Sequence, residues 1–371
     1  MNVPLLDLVA QYQAIKDEVL PAVQAVIESQ LFIMGPAVAQ LETEVAVLSH
    51  ARHGVACASG TDALLLPLKA LKLKPGDEVI TSPFTFFATA GAIHNAGGTP
   101  VFADVEPDTL NLDPAAVQAA LTPRTRAILP VHLYGQMVAM ERLMSIAAPR
   151  GLPIIEDACQ AIGARRSIDG EWRMAGELGW VTAYSFFPSK NLGAWGDGGM
   201  MVTSDDQIAE RLRRLRTHGG AKQYHHDEVG TNSRLDTLQA AVLLAKLRHL
   251  SEWSARRREH AAYYSAALRD VRGVRPLAVA SGNEHIFHQY TLRAERRDAL
   301  QAHLKANGIG SAVYYPIPLH LQRCFAHLGY RAGRLPHAEQ AAADVISLPV
   351  YPELRREQLD HVLGAIRSFY Q

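Results

Sequence analysis

The chain has 371 residues, 48% hydrophobic and 20% charged, as in a water-soluble globular protein with room for two domains. Lys plus Arg and Asp plus Glu each total 37, a formal net charge of zero that excludes a basic nucleic-acid surface or an acidic tail. The start, Met1-Asn-Val-Pro-Leu-Leu-Asp-Leu8, is not a secretion signal, no run approaches the roughly 18 apolar residues that span a bilayer, and Cys57, Cys159 and Cys324 have no metal-ligand spacing.

A cytoplasmic protein is expected, with no membrane, nucleic-acid or metal partner. Its surface carries no net charge, so a second subunit is expected to cover the apolar patches. From residue 37 to 204, short apolar runs alternate with helical patterns. Residues 55–58 read as a strand and 61–71 as a helix. Residues 78–81 are a strand, 86–95 a helix and 100–103 a strand. Asp113 caps a helix over 114–121, with Pro114 at its first position. Strands at 126–131 and 153–156 flank a helix at 140–148, and strands at 181–186 and 199–203 follow. Apolar strands joined by helices predict a mostly parallel, seven-stranded α/β sheet covered on both faces. Ligands of such sheets bind beyond the carboxyl ends of the strands. Residues 233–268 hold no glycine or proline and read as one or two long helices. Strands at 289–293 and 310–315 and helices at 297–307 and 357–370 complete a smaller α+β C-terminal domain. The expected division is residues 1–260, the large domain with the linking helix, and 261–371.

Four segments carry the chemistry, all at strand ends or loops. The run Val181-Thr-Ala-Tyr-Ser-Phe-Phe-Pro-Ser-Lys-Asn-Leu-Gly-Ala-Trp-Gly-Asp-Gly-Gly-Met200 sets Lys190 between a buried strand and four glycines. Burial favours a neutral amine, and a neutral amine is a nucleophile for Schiff-base chemistry with an aldehyde cofactor. Alone, the run also fits a surface lysine on a glycine-rich turn. Ala58-Ser-Gly-Thr-Asp-Ala63 is a strand-to-helix turn, either an anion site or an ordinary helix cap. In Ile154-Ile-Glu-Asp-Ala-Cys-Gln160, Asp157 ends a buried strand. Its carboxylate pairs with a protonated pyridine nitrogen or is satisfied by backbone amides. Val229-Gly-Thr-Asn-Ser-Arg-Leu-Asp-Thr-Leu-Gln-Ala240 places Asn232 and Arg234 just before the long helix, as ligand groups or as a cap with a surface arginine.

Together these motifs resemble the DegT-type nucleotide-sugar aminotransferases, pyridoxal-phosphate enzymes of fold type I. The resemblance runs from Leu5 to His320 and covers nearly the whole chain. It implies that Lys190 binds the cofactor aldehyde and shuttles the proton. It implies that Asp157 pairs with the pyridine nitrogen and that Gln160 contacts the ring's phenolic oxygen. Phe86 matches the aromatic that stacks on the ring, though it could be helix core. Gly60, Thr61 and Ser185 match phosphate ligands, and Asn232 matches a residue that reaches the phosphate from the partner, implying a homodimer with shared sites. Some relatives carry histidine in place of this lysine and act as dehydratases; Lys190 favours transamination. Pro130-Val-His-Leu-Tyr-Gly-Gln136, Tyr224-His-His-x-x-Val-Gly230 and Val313-Tyr-Tyr-Pro-Ile-Pro-Leu-His320 are most similar to enzymes aminating a 3-keto sugar. Within these, the resemblance is greatest to the aminotransferase for UDP-2-acetamido-2-deoxy-3-oxo-glucuronate in O-antigen synthesis. L-glutamate is the implied amino donor. Arg234, His225 and His226 are then candidates for a sugar carboxylate, and Tyr315 and His320 for sugar or phosphate; the histidines also fit a solvated loop. A 4-keto substrate, a non-catalytic cofactor-binding regulator and a cysteine-dependent desulfurase are the alternatives.

Overall fold

The computed structural model describes residues 1–222 and 224–371. Helices α1 (Leu8–Ser29) and α2 (Pro36–Leu48) come first. Then follow β1 (His53–Cys57), α3 (Gly60–Ala70), β2 (Glu78–Thr81), α4 (Ala88–Asn95), β3 (Thr99–Phe102), α5 (Pro114–Ala120), β4 (Thr125–Leu129), α6 (Met140–Ala147) and β5 (Ile155–Asp157). A hairpin of β6 (Arg165–Ile168) and β7 (Glu171–Met174) precedes β8 (Val181–Ser185), β9 (Gly199–Thr203), α7 (Asp206–Arg216), α8 (Thr237–Leu247) and α9 (Leu250–Leu268). The chain ends in β10 (Val274–Pro276), β11 (Asn283–Glu284), β12 (Tyr290–Ala294), α10 (Arg297–Ala306), α11 (Pro336–Asp344), β13 (Val345–Leu348) and α12 (Arg356–Tyr370).

Strands β1, β9, β8 and β5 pair in that order, as do β3, β2 and β4. Asp157 N donates to Pro130 O at 2.9 Å and His132 N to Asp157 O at 3.0 Å, which joins β5 to the end of β4. Among the described residues the result is one seven-stranded sheet, β3–β2–β4–β5–β8–β9–β1. Its pairs are parallel except that β9 opposes both neighbours. Successive side chains point to opposite faces, so the sheet fills two cores. Ile80, Ile128, Tyr184 and Met200 enter one with Val38, Leu41 and Leu143. Val79, Leu129, Ala183 and Met201 enter the other with Leu64, Leu68, Ile93 and Leu212. Runs buried on both faces explain why the strands read as continuous apolar segments.

A second antiparallel sheet, β10–β12–β13, packs under α9, α10 and α12 around Tyr264, Leu292, Leu300, Ile346 and Val362. Val3, from the far end of the chain, is buried in this cluster and bridges to Ile309.

Three expectations need correction. Residues 310–315 do not form a strand; Ala312 alone bridges, to Ser347. Gly310 is instead bonded to Val3 O at 2.8 Å, and Pro316 and Pro318 have no N–H to continue a ladder. The helix expected from residue 86 starts at Ala88, which leaves Phe86 in the preceding loop. The hairpin β6–β7 was not predicted. Its Asp169-Gly170 turn has φ of 52° and 84°, the two-residue turn that Asp-Gly favours.

Candidate active site

The carboxyl ends of β1, β2, β4, β5 and β8 converge, and the glycine-rich entry to β9 closes the same region. At the end of β1, Ser59 caps α3 by accepting Asp62 N at 3.1 Å. The next amides, of Gly60 and Thr61, precede the first intrahelical donor and face outward as helix N-termini do. Backbone approaches here leave no room for side chains. A Cβ on Gly60 would lie 2.5 Å from Ser185 Cβ, and one on Gly199 would lie 2.3 Å from Ser59 O. Ser185 is therefore set directly beside the start of α3. This cradle of backbone amides, hydroxyl and helix dipole suits a phosphate.

At the end of β5, Asp157 is 5% exposed. Its Oδ2 accepts Thr89 Oγ1 at 2.8 Å and its Oδ1 accepts Cys159 N at 3.2 Å. Thr89 in turn pairs with Thr85 at 3.0 Å. No cationic side chain donates to Asp157 in these bonds, which leaves the carboxylate open to a cationic partner.

Lys190 is partly buried on the loop from β8 to β9. Desolvation holds its amine below the ordinary lysine pKa, against the opposing influence of Cys159 and Asp157. The loop is pinned by Phe186 N to Gly198 O and Ala194 N to Phe186 O, both 2.8 Å, and by Lys190 N to Phe187 O at 2.8 Å. Lys246, buried in α8, supports it from behind, donating to Gly193 O at 2.7 Å; burial pulls its pKa down to about 8. Cys159 is held as a neutral thiol by burial.

Gln160 has both ends engaged. Its Oε1 accepts Tyr134 N at 2.7 Å and its Nε2 donates to Tyr315 Oη at 3.0 Å. Burial pushes the Tyr315 phenol above its ordinary range, so the hydroxyl stays protonated. The Phe86 ring centroid lies 6.4 Å from that of Tyr315 and the residue is 58% exposed, an open aromatic face rather than helix core.

The remaining predicted residues separate. Ser233 is buried, donates to Asp62 Oδ2 at 2.8 Å and accepts Ala58 N at 3.2 Å, which ties its loop to α3 and leaves Asn232 exposed. Arg234 and His226 line a different cleft, of about 730 Å³, with His218, Lys222, Tyr224 and Glu228. His225 is exposed on the adjoining turn. His320 is at neither place. Its side chain is fully buried against Phe102 and Tyr330 and paired with Glu339 at 3.1 Å. The helical spacing of Thr85 and Thr89 is the signal that could have revealed Asp157's partner; nothing local marks Tyr134.

The model of the DegT/DnrJ/EryC1/StrS aminotransferase family matches residues 13–367. The chain belongs to this family. It is 52% identical to a Geobacillus stearothermophilus protein named pleiotropic regulatory protein, over 100% of this chain and 99% of that one. It is 47% identical to the UDP-N-acetyl-3-dehydro-α-D-glucosamine 3-aminotransferase of Acidithiobacillus ferrooxidans, over 98% and 97%. The crystal structure of S. venezuelae DesV superposes with a TM-score of 0.96 at 44% identity, covering 100% of this chain and 99% of that one.

Family and fold make the chain a pyridoxal-phosphate-dependent nucleotide-sugar aminotransferase of fold type I. The residues present fit that cofactor: an amide cradle without room for a Cβ, a buried carboxylate hydrogen-bonded only by neutral donors, and a desolvated lysine. Gly60→Ala tests the cradle. The added methyl would collide with Ser185, and we expect the apoenzyme to bind pyridoxal phosphate about tenfold more weakly, read by absorbance titration. Unchanged affinity would place the phosphate elsewhere.

Proposed function

We propose that this aminotransferase moves an amino group from L-glutamate to C3 of a keto UDP- or dTDP-hexose, as a cytoplasmic homodimer with shared sites, in surface-polysaccharide synthesis. The observation that carries the 3-keto reading is the 47% identity, over nearly both whole chains, to an enzyme named for a UDP-3-dehydro sugar. Exposed Leu31, Ile33, Phe187 and Trp195 are the apolar surface that a second subunit would cover.

Bound pyridoxal phosphate supplies an electron sink that acidifies the α-proton of an amino acid. The chain's own groups then divide the work. Gly60, Thr61 and Ser185 hold the phosphate, and Asn232 reaches it from the partner. Asp157 supports positive charge on the ring nitrogen. Phe86 and the Gln160–Tyr315 pair fix the ring plane, Gln160 also meeting the ring's phenolic oxygen. Lys190 would bind the cofactor's aldehyde, and its Nζ would accept the α-proton and return it. A second half-reaction reverses these moves on the keto sugar, with Lys190 again carrying the proton.

The cleft of Arg234 and His226 suits the anionic part of the substrate. Glu228, the acidic residue of the cleft lining, is paired with Arg211 at 2.7 Å. Tyr224, 86% exposed, offers a face for a base. We assign Arg234, His225 and His226 to substrate anions and Tyr315 to the sugar side; burial gives His320 a packing role. Arg234→Ala is expected to raise KM for the keto nucleotide sugar between about tenfold and a hundredfold, the effect of losing a charge-assisted hydrogen bond, while the glutamate half-reaction keeps its rate. Equal KM values would remove Arg234 from the substrate site.

Single-turnover amination of 3-keto and 4-keto UDP- and dTDP-sugars, with and without a C6 carboxylate, tests the substrate. Preference for a 4-keto sugar would overturn the C3 reading. The name of the 52% identical relative favours a second reading, a non-catalytic regulator. It predicts a bound cofactor that no amino acid alters.

A further inference from the structure

Two side chains of α8 reach the loop that carries Lys190. Gln239 and Lys246 are seven residues apart, two helical turns, so they lie on one face of the helix. Lys246 is buried, and its Nζ donates to Gly193 O at 2.7 Å. Gln239 Oε1 accepts Trp195 N at 2.8 Å, and its Nε2 donates to Trp195 O at 3.4 Å. Gly196 lies against the same amide: a Cβ there would fall 3.1 Å from Gln239 Nε2. The helix itself is fixed on its other sides. Leu243 and Leu244 enter the sheet's core, and Val242 and Ala245 share a cluster with Ile15 and Val19 of α1. Thr237 N donates to Phe32 O at 2.9 Å while its hydroxyl accepts Gly35 N at 3.0 Å.

The loop passes this grip to Lys190 over a short path. A Cβ on Gly193 would lie 2.3 Å from Pro188 O, so the returning backbone touches the outgoing one two residues before the lysine. Ala194 N donates to Phe186 O and Lys190 N to Phe187 O, both at 2.8 Å. Residues 193–195 therefore set the course of 186–190. A lysine is a costly choice at the Lys246 position, because burial desolvates its charge and an apolar side chain would fill the space. Among the described residues its one side-chain bond is the one to Gly193 O, and the Glu353 carboxylate acts on it without forming an ion pair. Holding the loop is what the amine does there. The cradle of Gly60, Thr61 and Ser185 takes part in none of these bonds.

We propose that Gln239 and Lys246 are positioning residues for Lys190: through them α8 grips residues 193–195 and holds the lysine amine where the cofactor's aldehyde arrives. When Lys190 Nζ bonds the aldehyde carbon and water leaves, the step depends on where the amine stands. The grip on the phosphate does not. The proposal rests on Lys190 as the residue that bonds the cofactor, not on the sugar substrate.

Pyridoxal phosphate carries the aldehyde that Lys190 captures, and pyridoxamine phosphate carries an amine in its place, so the pair separates capture from phosphate binding. Lys246→Met keeps most of the side chain's bulk and removes its N–H groups. Mixed with pyridoxal phosphate, its apoenzyme should develop the absorption band of lysine-bound cofactor about tenfold more slowly than the unmodified apoenzyme, the effect of one lost buried hydrogen bond. Its dissociation constant for pyridoxamine phosphate should stay within about twofold. Gln239→Leu, at a half-buried position, should show the same split at about threefold. Gln239→Glu keeps the acceptor for Trp195 N and should recover most of the rate. If Lys246→Met does not fold, Gln239→Leu carries the test alone. Band formation at the unmodified rate in the folded variants, or a parallel loss of pyridoxamine phosphate affinity, overturns the proposal. A band that forms in Lys190→Ala overturns the reading of Lys190 itself, so the two failures are distinguishable.

Discussion

Lys190→Ala lowers the rate of the glutamate half-reaction on the order of 10⁴-fold, the upper range for losing a positioned acid–base group. Two properties of the site make the loss that large. The loop is pinned on both sides of Lys190, and the amine is desolvated, so a proton can leave it at lower pH than from an ordinary lysine. The sign follows from that direction. Activity that needs the neutral amine rises with pH through the lowered pKa, so the acid limb of the rate profile lies below the usual lysine range. Stopped-flow absorbance across pH measures both the rate and the limb. A Lys190→Ala enzyme within tenfold of the unmodified rate would mean that another group moves the proton.

The second large effect is at Asp157. Asp157→Asn keeps the size and the contact with Thr89 but removes the negative charge that, in the proposed mechanism, supports the ring nitrogen. The half-reaction is expected to fall about 10²- to 10³-fold, the scale of losing one preorganised electrostatic partner in a buried site. Asp157→Ala adds a structural penalty, because the buried Thr89 hydroxyl loses its acceptor. An unmade buried hydrogen bond costs about 1–3 kcal/mol, which thermal unfolding would register beside the rate loss. If Asp157→Asn kept its rate, the carboxylate would have a packing role only.

Much of this site was legible because it lies where strands stop. The runs ending near Ala58, Asp157 and Ser185 are continuous and apolar, and a reader can place their ends without knowing the sheet order. The direction of β9 was not legible, since a strand buried on both faces has the same pattern whichever way it runs. The break between α8 and α9 was equally hidden: no glycine or proline marks Arg248 or His249. Side chains that act across the fold were harder still. Thr89 reaches Asp157 across 68 positions, and His288 meets Asn191 across 97. His320 shows the opposite error. Its proline-flanked motif drew attention, and tertiary packing buried the ring against Phe102 and Glu339. Residues 310–315 read as a strand because Ala312-Val-Tyr-Tyr is apolar and β-prone, yet the chain there delivers Tyr315 to Gln160 instead of extending a sheet.

The visible absorption spectrum of the purified protein, before and after addition of L-glutamate, tests the central claim most directly. The aminotransferase account predicts a band from lysine-bound cofactor that glutamate removes and that Lys190→Ala never forms. A band that persists whatever amino acid is added would contradict it and leave a cofactor-binding protein without this chemistry.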